Sequence, residues 1–333
     1  MTTPAKDELG GSPLPKVSVI LPILNEELYL RDCVNSILSQ EYRGEFEVLL
    51  AVGPSKDRTL EIAKEIQAGD SRVIVVDNPS GRTAAGLNAA LAASTGSIIV
   101  RVDGHSQIPA RYISIAVELI QSTGAVNVGG MMAAEGVSTF ERAVAGAMRS
   151  PLGVGASRFH TGGAAGEVDT VYLGIFKKEA LLAIGGFDER FVRAQDWELN
   201  FRLRKNGGTI YFDSRLQVTY RPRPNLAALA KQYFEYGRWR RVVSRRHKGT
   251  INYRYLAPPV ATLGFLASIL LGFFISPIFI APAAIYLLFV ALAAIVISQS
   301  LLQSIYLLIV IPTMHFSWGV GFLTSPKNLV PAQ

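Results

Sequence analysis

Residues 255–326 contain no Asp, Glu, Lys or Arg, in a chain of 333 residues that is 18% charged. Apart from tyrosines, His315 is the only titratable side chain there. A helix rises about 1.5 Å per residue, so about 20 apolar residues cross a bilayer core. The stretch has room for three crossings. Pro277 and the polar run Ser298, Gln299, Ser300 divide it into Leu256–Ser276, Ile278–Ser298 and Leu301–Leu323. A helical hairpin in a soluble core would need polar faces, and these segments show none. The third segment carries Pro312, His315, Ser317 and Trp318, which fit a crossing, a re-entrant or an interfacial helix. An odd number of crossings would put the chain's end on the far side, whereas a re-entrant one returns it.

The residues before it read as soluble. Residues 1–15, rich in Pro, Gly and Lys, are expected to be a disordered lead-in without the apolar core of a signal peptide. The single Cys33 excludes an intramolecular disulfide and fits a reducing compartment. The net charge of +7 is unevenly placed: Arg221–Arg254 holds ten Lys or Arg and one acid, Glu235. A basic block directly before an apolar span faces the cytoplasm and anionic lipid. Nucleic-acid binding is disfavoured, because no nucleic-acid motif accompanies the block. Leu226, Leu229, Tyr233 and Tyr236 recur at helical spacing, so residues 225–254 are expected to form a basic amphipathic helix region on the membrane surface.

Short apolar strands alternate with helical patterns through the first hundred residues. The expected strands are Val17–Leu21, Phe46–Val52, Val73–Val76 and Ser97–Val102. The expected helices are Glu26–Gln40, Arg58–Gln67 and Thr83–Ala93. The alternation predicts an α/β fold with a mostly parallel sheet, whose ligands bind at the carboxyl ends of its strands.

Four polar constellations fall near such ends. Pro22, Asn25 and Glu26 follow the first strand, and Asn25 or Glu26 can cap the next helix. Gly53–Thr59 forms a turn with Asp57 at a helix start. Asp103-Gly104-His105 follows the fourth strand. A carboxylate and an imidazole two residues apart can both face one divalent cation, Mg²⁺ or Mn²⁺, although Asp-Gly is also a common turn. Gly185-Gly186-Phe187-Asp188 precedes Gln195-Asp196-Trp197-Glu198. There Asp196 either favours a helix N-terminus or serves as a general base, with Trp197 available to stack on a sugar.

Together these residues resemble the family 2 glycosyltransferases of the GT-A fold, over roughly residues 16–241. The resemblance runs through Val17–Pro22, Asn25-Glu26, Asp57-Arg58-Thr59, Gly81-Arg82 with Asn88, Asp103-Gly104-His105, Gly185–Asp188 and Gln195-Asp196. It ends at Gln232 with Arg238-Trp239, which is similar to the Gln-x-x-Arg-Trp signature. The pattern looks closest to the succinoglycan-type exopolysaccharide glucosyltransferases of bacteria. It implies a GT-A (Rossmann-like) catalytic domain over 16–224, followed by C-terminal transmembrane helices over 255–326.

The resemblance implies an inverting enzyme that moves a sugar, glucose from UDP-glucose, onto a lipid-linked saccharide. Pro22, Asn25, Glu26, Asp57, Arg82 and Asp103 would line the nucleotide-sugar site. Asp103 and His105 would hold Mg²⁺ or Mn²⁺, and Asp196 would be the base. Trp197, Gln232, Arg238 and Trp239 would contact acceptor and diphosphate. The implied location is the inner membrane, multi-pass, with the catalytic domain cytoplasmic. Three departures stand out. Val52-Gly53 replaces two acids, one of which usually recognises uracil. The Gln232–Arg238 spacing is longer than in the signature. His105 replaces an acid. The Gly-rich stretch 153–166 is read as a mobile loop over the acceptor or a plain connection. The alternatives are a sugar transferase acting on a bare polyprenyl phosphate and a non-catalytic membrane scaffold.

Overall fold

A computed structural model describes residues 13–251 and 253–330. Most of the expected lead-in, residues 1–12, lies outside them.

The amino-terminal half alternates as expected. Strands β1 (Val17–Ile23), β2 (Phe46–Val52), β3 (Val73–Asp77) and β4 (Ile98–Arg101) alternate with helices α1 (Leu30–Leu38), α2 (Thr59–Gly69) and α3 (Thr83–Ala93). β1 lies between β2 and β4, parallel to both, and β3 adds parallel to β2. Nearly every residue of β1, β2 and β4 is buried, so the strands read as apolar runs without alternation. Helix α1 starts four residues later than expected, because residues 25–29 form a loop that bonds to the β2–α2 turn.

The second half departs from simple alternation. α4 (Tyr112–Thr123) leads to β5 (Asn127–Ala134) and then to α5 (Thr139–Met148), which opens with a Ser138/Glu141 capping box. Two single-turn helices follow, α6 (Pro151–Val154) and α7 (Arg158–Thr161), and then β6 (Gly166–Glu167) and β7 (Tyr172–Lys177). Next come α8 (Lys178–Ala183), α9 (Gln195–Lys205) and β8 (Ile210–Tyr220). The sheet order is β3-β2-β1-β4-β7-β5-β8-β6. β7 is antiparallel to both β4 and β5, so the sheet is mixed but mostly parallel. The strand order reverses between β1 and β4, and the carboxyl ends flanking that point form a crevice.

The basic region forms α10 (Leu226–Arg246), capped by the Asn225 side chain. It is followed by α11 (Tyr253–Phe274), a 3₁₀ turn at Pro277–Ile280, α12 (Ala281–Ile297) and α13 (Leu301–Thr324). Among the described residues, three segments are long and apolar enough to cross a membrane: Tyr253–Phe274, Pro277–Ile297 and Leu301–Thr324. Pro312 does not break α13, which runs continuously for 24 residues. The face of α13 bearing Leu307, Val310, Ile311, Met314, Trp318 and Phe322 joins a core with α5 and α10.

Candidate active site

Of the residues expected to line the nucleotide-sugar site, Asn25, Glu26 and Asp57 sit in two loops stitched together by backbone-to-side-chain bonds. Asn25 adopts φ +57°, a left-handed conformation that Asn tolerates. Its N–H donates to Ser55 Oγ (3.0 Å), and its Oδ1 accepts from Lys56 N–H (2.8 Å). Glu26 N–H donates to Thr59 Oγ1 (2.7 Å). Asp57 accepts from the N–H groups of Thr59 (3.1 Å) and Glu27 (3.2 Å). The bond from the Thr59 hydroxyl holds the Asp57 carboxyl below its usual range. Asp57 thus bonds to the first residue of α2 and ties the loops, and its oxygens are largely committed. Pro22 pairs in register with Ala51 on β2. Arg82 precedes α3, next to Gly81 at φ +62°. It is exposed, and its side chain has no hydrogen-bond or ion-pair partner among the described residues.

The centre of the crevice is a charged trio. Arg101 ends β4 and is buried. Its Nη2 donates to Asp103 Oδ1 (3.0 Å), and its Nη1 donates to Asp196 Oδ1. Burial works against its charge, but the carboxylates of Asp196 and Asp103 outweigh it and hold Arg101 protonated. Burial pushes the Asp196 carboxyl above its usual range, with Arg101 pulling the other way and Asp103 adding to the rise. A carboxyl raised in this way suits general-base work nearer neutral pH. Arg101 belongs to none of the sequence motifs. Its signal was a guanidinium placed directly after the apolar run Ile98-Ile99-Val100, where a buried charge needs partners.

Helix α9, which carries Asp196, is anchored to α10's end and to the Gly-Gly turn. Ala194, just before the helix, adopts φ +61°, which is unusual for an alanine. Glu198 is buried and accepts from Arg202 (2.6 Å), with His247 Nε2 at 3.1 Å. Arg202 Nη1 also donates to the carbonyls of Ile184 and Gly186 (both 2.8 Å), fixing α9 to the Gly-Gly turn. Gly186 is at φ +71°, and a Cβ there would lie 2.7 Å from Asn88 Oδ1. Asn88 accepts from Phe187 N–H (2.9 Å), so that turn is also held to α3.

His105 lies beside the trio. Its Nδ1 lies 2.8 Å from Glu26 Oε1, and in the neutral ring that donates from Nδ1, Nε2 carries the lone pair. A carboxylate behind an imidazole is the usual support for a metal-ligating histidine. The hydrogen bond to Glu26 is the main cause that raises the imidazole's pKa. No group of three His, Cys, Asp or Glu side chains gathers around a cation-sized space among the described residues. Asp103 and His105 would be two protein ligands to a cation held there. That donor set fits Mg²⁺ or Mn²⁺, which keep waters and take substrate phosphates as further ligands. A cavity of about 140 Å³ opens next to His105, lined by Tyr29, Asp32, Gln107, Thr219 and Arg221.

The acceptor-side residues are arranged differently from the expectation. Trp197 is engaged by the Arg240 guanidinium, 4.8 Å from its ring centroid, and by Tyr255 at 5.7 Å. Trp239 is 5% exposed and packs with Phe191, Val242 and Val243, so it supports the fold instead of facing a ligand. Arg238 pairs with Glu235 (2.8 Å) on its own helix. Arg240, which the motif reading left out, is buried beside Trp197 and Tyr255. It lies between two rings, with its Nε unpartnered. Gln232 Nε2 donates to the hydroxyls of Tyr220 (2.6 Å) and Tyr236 (2.7 Å). Tyr172 is half-buried, and burial together with the nearby Asp103 carboxylate raises its phenol's pKa. The Gly-rich stretch is tied down: Arg254 Nη1 donates to Ala156 O (2.6 Å), and His315 Nε2 lies 3.2 Å from Gly153 O.

Comparison with known proteins converges on one family. The family model described as glycosyl transferase family 2 matches residues 18–185. The chain is 31% identical over 312 residues to the succinoglycan biosynthesis protein ExoA of Rhizobium meliloti (strain 1021), covering 91% of this chain and 93% of that protein. It is 25% identical over 267 residues to a Methanococcus voltae dolichyl N-acetyl-alpha-D-glucosaminyl phosphate 3-beta-D-2,3-diacetamido-2,3-dideoxy-beta-D-glucuronosyltransferase, covering 76% and 80%. The mannosyltransferase PcManGT of Pyrobaculum calidifontis, solved with GDP-Man and Mn²⁺, superposes with a TM-score of 0.59 at 18% identity. It covers 96% of this chain and 91% of that one, a likeness of fold.

Proposed function

The chain belongs to glycosyl transferase family 2 and is a GT-A-type glycosyltransferase with relatives in exopolysaccharide and lipid-linked glycan synthesis; we propose that it moves glucose from UDP-glucose onto a lipid-linked saccharide at the cytosolic membrane face, with inversion. The observation that carries this reading is the Arg101 bridge, which links Asp103 to Asp196 at the carboxyl end of β4.

In the proposed reaction an acceptor hydroxyl oxygen attacks the anomeric carbon. The bond from that carbon to the diphosphate breaks, and the hydroxyl proton passes to Asp196. One base and in-line attack invert the anomeric centre, so an α-linked donor gives a β-linked product. Asp103 and His105 Nε2 would hold the divalent cation. Bound there, the cation supplies charge neutralisation for the departing nucleoside diphosphate. Arg101 keeps both carboxylates oriented, and Arg82 is free to meet a phosphate. Pro22, Asn25 and Glu26 would form the nucleotide wall, with Asp57 fixing its loops.

A lipid-linked acceptor is supported by the apolar helices rooted beside Asp196: Tyr255 of α11 contacts Trp197 of α9. The name of the Methanococcus relative, whose substrate is a dolichyl-linked sugar, points the same way. Val52-Gly53 supplies no acid to a uracil ring, and the Pyrobaculum neighbour was solved with a GDP-sugar, so the base is the part to test. A ligand present at 100 times its Kd stabilises the native state by about 2.7 kcal/mol. Thermal-shift titration with UDP-, GDP- and dTDP-glucose plus Mn²⁺ is expected to single out UDP-glucose. A larger shift with a GDP-sugar would overturn the base assignment.

A further inference from the structure

Helix α13 is in contact with the catalytic domain from end to end. Near its start, Gln303 Nε2 donates to Arg142 O (3.1 Å) on α5. Through its middle, Leu307, Val310, Ile311 and Met314 pack with α5 and α10 residues that include Val144, Leu229 and Tyr233. Towards its end, Gly237 and Gly321 let the backbones of α10 and α13 approach so closely that a Cβ at either would lie 2.0 Å from a carbonyl oxygen of the other helix. Just beyond it, Ser325 Oγ donates to Arg238 O (3.0 Å), and Arg245 Nη1 donates to Pro326 O (2.9 Å).

These contacts conflict with a crossing. Twenty-four residues span about 36 Å, more than the roughly 30 Å hydrocarbon core. A crossing α13 would therefore place Arg142 and Arg245 of one folded domain on opposite faces of the bilayer. It would also carry Lys231 and Glu235 of α10 into hydrocarbon, at about 2.5–3.5 kcal/mol for a charge at the centre. The opposite face of α13 is apolar and exposed at Leu301, Leu302, Ile305, Leu308, Ile309 and Leu323.

The hairpin before it has a complementary feature. A hairpin that crosses puts its turn in water on the far side. The turn between α11 and α12 reads Ile275-Ser276-Pro277-Ile278-Phe279-Ile280, preceded by Phe273 and Phe274. It has no charge, and Phe273, Phe274, Ile275 and Ile278 are at least two-thirds exposed. Both roots of the hairpin touch the catalytic domain, at Tyr255 against Trp197 and Arg240 and at Ile297 against Gly146.

We infer that α11, α12 and α13 form an apolar layer seated in one leaflet, with α13 in the membrane plane and no helix crossing. The occupant of the exposed faces is the acyl-chain region of the leaflet nearest the catalytic domain. The exposed Lys231 and Arg245 of α10 meet the headgroups of that leaflet. The inference rests on the membrane attachment proposed above and is independent of the transfer reaction.

Single cysteines at Ser276, Gln299 and Asn328, in the full chain in vesicles of each orientation, test it with a membrane-impermeant maleimide. The native Cys33 is buried, and the unmodified chain is the blank. Gln299→Cys and Asn328→Cys are expected to label only from the catalytic face. Ser276→Cys is expected to label from neither face but to react with a lipid-soluble maleimide. Labelling of Ser276→Cys or Asn328→Cys from the opposite face would overturn the inference. Ile275→Cys reads the same turn if Ser276→Cys does not accumulate. Sugar transfer in the same vesicles is read separately, so a failed catalytic reading leaves the labelling outcome interpretable.

Discussion

Arg101 at the end of β4 is ion-paired with Asp196 in the first turn of α9, 95 residues later in the chain. The pair joins the parallel half of the sheet to the helix that supplies the proposed base. Asp103 shares the same guanidinium, so the residues proposed for metal and base are one electrostatic unit.

The sign of this coupling gives a pH prediction. A base works ionised, so the rate falls as pH drops through the raised pKa of Asp196. Arg101 is the neighbour that lowers that pKa. Arg101→Gln is therefore expected to move the acidic limb of the kcat profile to higher pH and to lower the plateau. A displaced limb in a pH–rate profile separates this role from simple misfolding. An unmoved limb would show that Asp196 does not feel Arg101 during turnover.

Glu26 is expected to act on metal affinity through His105. Losing a partner behind a metal ligand typically costs 10–100-fold in affinity or activity. Glu26→Gln should raise the Mn²⁺ concentration for half-maximal activity by about that factor, with recovery at high Mn²⁺. EDTA should abolish transfer by the unmodified enzyme. Activity that survives EDTA would remove the metal role of Asp103 and His105.

Much of the fold was legible because strands buried on both faces must be apolar runs, and β1, β2 and β4 are such runs. The second half was less legible. β5 carries Gly129-Gly130, and β7 is inserted antiparallel, an arrangement fixed by tertiary pairing that no local pattern encodes. At the site, Asp196 and Asp103 could be located by motif, whereas Arg101 could not, since its partners are set by long-range packing. Residue type also misled: Trp197 and Trp239 look like stacking platforms, but their rings are committed to Arg240 and to Phe191. The charge-free C-terminal stretch announced its apolar helices, but only the contacts of α13 with α5 and α10 indicate how it lies.

Those contacts predict a contrast between two glycines. Gly237 faces the α13 backbone with no room for a Cβ, while Gly264 on α11 faces open space. Gly237→Ala should destabilise by about 1–3 kcal/mol, the usual range for overpacking, seen as a lower apparent Tm in detergent. Gly264→Ala should leave Tm unchanged or slightly raised, because alanine favours helix. Equal behaviour of the two would mean that α10 and α13 do not pack closely in solution.

The central claim is that Asp196 takes the proton during sugar transfer, and one comparison tests it most directly. Transfer from UDP-glucose to a lipid-diphosphate saccharide is measured for the unmodified enzyme and for Asp196→Asn, with Mn²⁺ and donor saturating. General-base catalysis contributes about 10²–10⁴-fold, so kcat should fall by at least about 100-fold while donor binding by calorimetry stays intact. Equal kcat for the two proteins would contradict the account.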